Sequence, residues 1–356
     1  MPLNWAEMTG QQESIGNMDK ALLAPDANAD LAWHFDGKGN AVRVTILQAT
    51  ALLFTDDQPV GRAKAHAAFT WIHCDINSPV LPGLFAAGKI STLISDRLSQ
   101  TDTRPICIPH DDGLLLNLRG TAAVLNGAES GLIAMRLWIT RKGIISSSRL
   151  QTKAAQETLG EMDRGACPRS VGEFVARFTL RIVDTIEPLV DDLAEAVDGL
   201  EIEVVEGSQK LMRRELSEVR RQAIELRRFL YPQRDALSTF LVEHVAFVRE
   251  EERVKLHEAH DRMTRFIEEL EVTRERCAVL HDQIIDNRSE RMNKQILLLS
   301  VVSALFLPAT LIAGLLGMNV AGIPSANHPL AFLAICVATV VLIVCELALF
   351  RWLKII

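Results

Sequence analysis

The chain has 356 residues, 48% of them hydrophobic and 23% charged, with a formal net charge of −7. These averages would suit a soluble protein, but from Gln295 to Ile356 the only charged or imidazole side chains are His328, Glu346, Arg351 and Lys354. So apolar a tail is membrane material and excludes a wholly soluble protein, while the acidic balance argues against a nucleic-acid partner.

The first residues, MPLNWAEMTGQQES, have neither the basic n-region nor the apolar h-region of a signal peptide. The first part of the chain is therefore expected to stay in the cytoplasm. Six cysteines (Cys74, Cys107, Cys167, Cys277, Cys336, Cys345) form no C-x-x-C pair and are spread over polar and apolar segments alike, as reduced thiols would be.

Residues 1–168 alternate short strand-like runs with helical ones and are expected to form a cytoplasmic α/β domain. Strands are predicted at Leu31 to Phe35, Phe69 to Ile76, Gly113 to Leu118, Leu132 to Thr140 and Gly143 to Ser147. Asp111-Asp112-Gly113 and Arg141-Lys142-Gly143 supply turn chemistry between them.

Residues 169–294 are expected to form a stalk of long helices divided at Gly207 and Pro232. The first, near Val171 to Glu206, carries Asp184, Glu187, Asp191, Asp192, Glu195, Asp198, Glu201, Glu203 and Glu206, with no Lys or Arg between Arg181 and Lys210. It reads as a solvated acidic face or as a surface that concentrates cations. The last helix begins near Glu250 and shows no break before the membrane. Along it Met263, Phe266, Leu270, Thr273, Cys277, Leu280 and Ile284 recur at steps of three and four, the seam of a coiled coil or bundle.

Residues 295–356 form the expected transmembrane domain. Ile296 to Leu316 and Leu330 to Phe350 each meet the about 20 residues needed to cross the hydrocarbon as a helix. Pro308 is tolerated there because neighbouring groups can satisfy the carbonyl it frees. Arg288, Arg291 and Lys294 precede the first span and Arg351 and Lys354 follow the second, while Gly317 to Pro329 has no Lys, Arg, Asp or Glu. The positive-inside rule then places both termini in the cytoplasm. Glu346, an acid inside a span, is read as pairing locally with Arg351 or snorkelling toward the interface.

A second stripe runs along the same last helix: Asp282, Asp286, Ser289, Asn293, Ile296, Ser300, Ser303, Leu307, Thr310 and Gly314. Several copies around an axis would line a passage with hydroxyl and amide rings, apolar constrictions at Ile296 and Leu307, and acidic rings at the inner mouth. The alternative is a small-residue helix contact. The stripe ends at Gly317-Met318-Asn319. Gly317 is expected to end the helix at positive φ, and Asn319 to present neutral amide oxygens that grip the water shell of a divalent ion.

His257-x-x-His260 could supply half of a cytoplasmic zinc site. Cys107-x-x-His110 and His73-Cys74-Asp75 are weaker patterns. The chain shows no phosphate-binding loop, nucleophile elbow or zinc-protease helix, so no enzyme activity and no resident cofactor are expected. The rival from another class is a two-span membrane sensor or scaffold, for which the short linker leaves little room to sense anything outside.

Gly-Met-Asn closing the first of two C-terminal spans, after a long helix and before a short linker, resembles the CorA family of divalent metal-ion transporters. Further segments resemble its ZntB branch: Ala32-Trp33 with Asp36-Gly37, Thr103-Arg104-Pro105, Ala134-Met135-Arg136, Pro232-Gln233-Arg234-Asp235, Phe306-Leu307-Pro308 and Gly322-Ile323-Pro324. The resemblance implies an inner-membrane homopentamer whose first spans surround the pore, with Asn319 at the selectivity entrance and Asn293, Leu307 and Thr310 on the axis. Magnesium-transporting relatives often carry an acid after the linker proline, whereas Pro324 is followed here by Ser325-Ala326-Asn327-His328. The expected cargo is therefore zinc, with magnesium, cobalt and nickel as alternatives.

Overall fold

The computed structural model describes residues 30–54, 67–101, 103–123, 131–206, 212–243, 245–318 and 329–353. They form two compact units, the first extending through Ala278 and the second beginning at Val279.

The first unit is built on a seven-stranded sheet: β1 (Leu31–Phe35), β2 (Ala41–Arg43), β3 (Phe69–Asp75), β4 (Ile106–His110), β5 (Gly113–Thr121), β6 (Leu132–Thr140) and β7 (Gly143–Ser148). Their order is β2-β1-β3-β7-β6-β5-β4. Neighbours run antiparallel except β3 and β7, which pair parallel with Trp71 opposite Ile144. The five predicted strands are present and the two unpredicted ones are the sheet edges. β2 is only three residues long, and β4 carries Pro109, which an edge tolerates because no inner ladder bond is lost there.

Strand alternation sends successive side chains to opposite faces. Ile72 and Cys74 join a core with Ala49 and Leu53 of α1 (Ile46–Phe54), Leu81 and Leu84 of α2 (Val80–Ala87), and Ile94 and Leu98 of α3 (Thr92–Ser99). On the other face Phe35, Phe69 and Trp71 pack on Phe174 and Phe178. Both phenylalanines belong to α5 (Val171–Glu206), which follows α4 (Lys153–Asp163).

Of the two expected dividers of the long helices, Gly207 lies outside the described residues, and Pro232 does not divide them but lies within α6 (Met212–Val242). The break comes after Val242, before α7 (Glu250–Leu316). Next to the proline, buried Gln233 explains why the segment sits where it does. Its Oε1 accepts from the Arg119 N–H at 2.7 Å and its Nε2 donates to the Arg119 carbonyl at 3.2 Å, so the side chain continues the hydrogen-bonding of β5 where the β4 pairing has ended.

Helices α5 and α7 run in the same direction. Arg262 donates to Asp184 and Glu187, and Arg276 to Asp198 and Glu201. Four carboxylates of the acidic run are thereby held by α7, while Asp191, Asp192 and Glu195 stay exposed. The run is accordingly neither a bare solvated face nor a free cation-concentrating surface along its whole length. Helix α6 runs antiparallel to α7, with Arg227 reaching Glu271 and Gln233 reaching Met263. All seven residues of the predicted seam, from Met263 to Ile284, are buried.

The starts of α5 and α7 are tied together by one carboxylate. Buried Glu252 accepts from the Ser170 hydroxyl at 2.7 Å, from the Arg249 guanidinium at 2.7 Å and from the Arg249 N–H. Burial works against its ionisation, but these hydrogen bonds prevail and hold it below the usual carboxylate range. Gly172 is required beside it, since a Cβ there would lie 2.4 Å from the Phe247 carbonyl and 2.5 Å from Glu252 Oε2.

Candidate ion pathway

The second unit holds the membrane-crossing part of α7 and α8 (Ala331–Trp352), both long and apolar enough to span a bilayer. Within residues 296–316 every hydroxyl-bearing side chain, namely Ser300, Ser303 and Thr310, falls on the predicted stripe, and every residue off the stripe is apolar. All ten stripe positions, Asp282, Asp286, Ser289, Asn293, Ile296, Ser300, Ser303, Leu307, Thr310 and Gly314, are exposed in the single chain.

The least exposed residues of the span are Val301, Leu305, Pro308, Ala309 and Ile312. At about 100° per residue their face is centred roughly 140° from the stripe. Ala331, Ile335, Thr339, Leu342, Glu346 and Phe350 form the corresponding face of α8. One face of α7 is thus sheltered, and the polar stripe is left for something else.

Two of the stripe hydroxyls are satisfied within the helix. Ser303 Oγ donates to the Leu299 carbonyl at 2.9 Å and Thr310 Oγ1 to the Phe306 carbonyl at 2.7 Å. With their protons committed to the helix, the oxygens turn acceptor lone pairs outward, the polarity that suits a hydrated cation. Asp282 and Asp286 are exposed and make no ion pair among the described residues. Lys294 is engaged with Glu290 at 3.1 Å.

After the last turn of α7, Gly317 does not adopt the expected positive φ. Its N–H still bonds the Ala313 carbonyl at 2.9 Å, and glycine is needed because a Cβ would sit 2.9 Å from that same oxygen. Met318 is exposed, and Asn319 lies outside the described residues. Glu346 is half-buried with an enclosed Oε2 that has no hydrogen-bond partner, and of the two expected roles, local pairing or snorkelling, a salt bridge to Arg351 is not formed among the described residues.

Other sequence candidates fare differently. His260 approaches Asp261 at 3.2 Å while His257 is exposed, and among the described residues no group of three His, Cys, Asp or Glu side chains could hold a metal. His73 is buried against Ser146, and burial pushes its pKa down to about 4. Burial raises Cys107 to about 12, and His110 bonds Ser91 instead of joining it.

A family model described as CorA-like Mg2+ transporter protein matches residues 66–352. The chain belongs to this family. Among CorA-like relatives it is 32% identical over 278 residues to a protein named zinc transport protein ZntB from Pectobacterium carotovorum, covering 77% of this chain and 84% of that one. It is 30% identical over 286 residues to the divalent cation transporter CmaX of Pseudomonas aeruginosa, covering 79% and 84%. The solved structure of full-length CmaX superposes with a TM-score of 0.75 at 28% identity, over 93% of this chain and 99% of that one. The CorA magnesium transporter of Methanocaldococcus jannaschii shares the fold, with a TM-score of 0.74 at 17% identity over 90% and 97%.

Proposed function

We propose that this CorA-like chain conducts a divalent cation, zinc first, across the inner membrane through a pore on the axis of a homopentamer. The observation that carries the reading is the segregation of α7: its span's hydroxyl side chains lie on one exposed stripe, turned away from the sheltered face. Lipid gives no reason to collect them there, whereas a water-bearing axis does. Zinc follows the relatives named ZntB and the uncharged linker. Magnesium or cobalt is the alternative cargo, and a two-span sensor is the alternative of another class.

In this mechanism the first spans surround the axis, α8 forms the outer ring and both termini face the cytoplasm. Asn319, with Gly317 and Met318 before it, forms the outer entrance, where amide oxygens bind the water shell of a cation that sheds its water reluctantly. Ser303 and Thr310 relay it past Leu307, Ser300 and Asn293 carry it past Ile296, and Asp286 and Asp282 draw it out at the inner mouth. A dication moving inward gains about 4.6 kcal/mol per 100 mV, twice the single-charge value. The protein acts as a conduit and not as an enzyme. The functional division is 1–168 for the α/β domain, 169–294 for the stalk and 295–356 for the membrane.

The test is cysteine substitution in a background where Cys336 and Cys345 are serine, with cadmium block of zinc uptake in proteoliposomes as the readout. Ser303→Cys and Thr310→Cys become blockable, and Leu298→Cys does not. Block at Leu298→Cys alone, or at none of the three, defeats the pore assignment.

A further inference from the structure

Five cationic side chains, Lys38, Arg169, Arg177, Arg249 and Lys255, line a polar cavity of about 690 Å³ in the first unit, against only three carboxylates, Glu173, Glu251 and Glu252. Two of the cations are already occupied: Arg177 pairs with Glu161 and Glu173, and Arg249 with Glu252. Lys38, Arg169 and Lys255 form no salt bridge among the described residues. They come from three separate segments: the β1–β2 turn, the residue preceding Ser170 at the head of α5, and the second turn of α7.

From these groups we infer that the cavity binds a soluble polyphosphate anion. An anion in the cavity would give these side chains a counter-charge that the described residues do not supply through a salt bridge. The surrounding chemistry already holds an anion, since Glu252 is gripped by Ser170 and Arg249 on the cavity wall. That internal carboxylate engages Arg249, and Lys38 stands within reach of the Asp36 carboxylate, while Arg169 and Lys255 carry no salt bridge among the described residues, so the three can turn to an external ligand. Their separation over three segments favours a chain of phosphates over a single one, because each phosphate can take its own charge-assisted hydrogen bond.

The backbone leaves room for it. Gly39 and Gly165 both line the cavity at positive φ, +105° and +81°, where glycine alone is unstrained and nothing projects from the chain. The Arg169 guanidinium lies across Gly39, its Nε 3.6 Å from where a Cβ would be. A bound polyphosphate would fasten the β1–β2 turn, the head of α5 and the start of α7 to one another. The site is therefore placed to report a cytoplasmic phosphate metabolite to the helix that continues into the first span.

The experiment uses the full-length protein in detergent and metal-free buffer, with inorganic triphosphate as probe and thermal unfolding and calorimetric titration as readouts, so that it is independent of transport. Triphosphate raises the melting temperature, and binding weakens about tenfold for each of Lys38→Gln, Arg169→Gln and Lys255→Gln, the worth of one charge-assisted hydrogen bond. Lys89→Gln, away from the cavity, binds as the parent does. Lys38→Gln changes a side chain exposed on a turn and leaves the helices intact, so the assignment stays testable if either other variant unfolds. Equal stabilisation by sulfate at matched ionic strength, unchanged binding in Lys38→Gln, or absence of binding because a second copy fills the cavity would each overturn it. Binding of short-chain phosphatidic acid but not triphosphate would overturn the soluble ligand in favour of a lipid headgroup.

Discussion

Arg262 on α7 grips Asp184 on α5, and Arg276 grips Asp198 across the same sequence interval of 78 residues. Because the interval repeats, the two helices are held parallel and in register at two levels. A slip of one turn would break both clamps together.

The upper and lower clamps are not equal. Arg262 is largely enclosed, with its side chain 14% exposed, and binds Asp184 and Glu187 at 2.5 and 2.6 Å. Arg262→Ala is expected to cost about 2 kcal/mol, the scale of hydrogen bonds to charged groups. Arg276→Ala, more open to solvent, should cost under about 1 kcal/mol. Denaturant melts of the two variants give the comparison, and a larger loss at Arg276 would contradict it.

The Glu252 latch predicts an acid-dependent stability. Its folded pKa is depressed, so the stabilisation is fully present above the ordinary carboxylate value of 4.5 and is lost as pH falls through the folded value. Glu252→Gln should therefore be less stable than the parent at neutral pH, with the difference shrinking as pH drops below 4.5. A difference that does not change with pH would show that the carboxylate's charge plays no part.

Gly172→Ala tests the same joint sterically. The new methyl meets a backbone carbonyl and the latch carboxylate, neither free to move, and the expected cost is about 1–3 kcal/mol, that of overpacking. Gly199→Ala, on the same helix with nothing near its Cβ, should be neutral or slightly stabilising.

Asp282 and Asp286 are exposed and unpaired among the described residues, so their influence on a passing cation is screened by salt. Changing both to Asn should lower zinc uptake most at low ionic strength. An equal loss at high salt would assign them a gating or structural role.

Asn319 is the sharpest site for the proposed selectivity. Asn319→Ala removes the acceptor ring and should abolish uptake while the oligomer stays intact by mass measurement. Asn319→Asp keeps the side-chain size and adds charge at the proposed entrance, which should strengthen capture, slow release and reorder the metals transported. Normal uptake with unchanged metal preference in both variants would move the entrance elsewhere.

Much of this protein could be read from its residues in order. The two spans, the long uninterrupted α7 and its seam from Met263 to Ile284 follow from hydrophobic periodicity, which is local and survives without neighbours. The polar stripe is legible for the same reason, since a helix fixes which residues share a face. The edge strands β2 and β4 were missed because three residues, or five with a proline, carry too little pattern. Pro232 reads as a divider, yet it lies within a helix beside Gln233, which docks on a strand 114 residues earlier in the chain.

The segments that carried the family likeness acquire physical reasons only in three dimensions. Asp36 caps the β1–β2 turn by accepting from Lys38 N and Asn40 N, and the Thr103 carbonyl receives the Arg119 guanidinium at 2.9 Å. The sequence alone determined that two spans follow a long helix bearing a polar stripe, because periodicity and apolar length are properties of one segment. Only the tertiary structure decided which acids of α5 are neutralised, where α5 and α7 are latched, and which cations are left facing a cavity. Each of those depends on side chains some 75 to 130 positions or more apart, and no local pattern encodes such pairings.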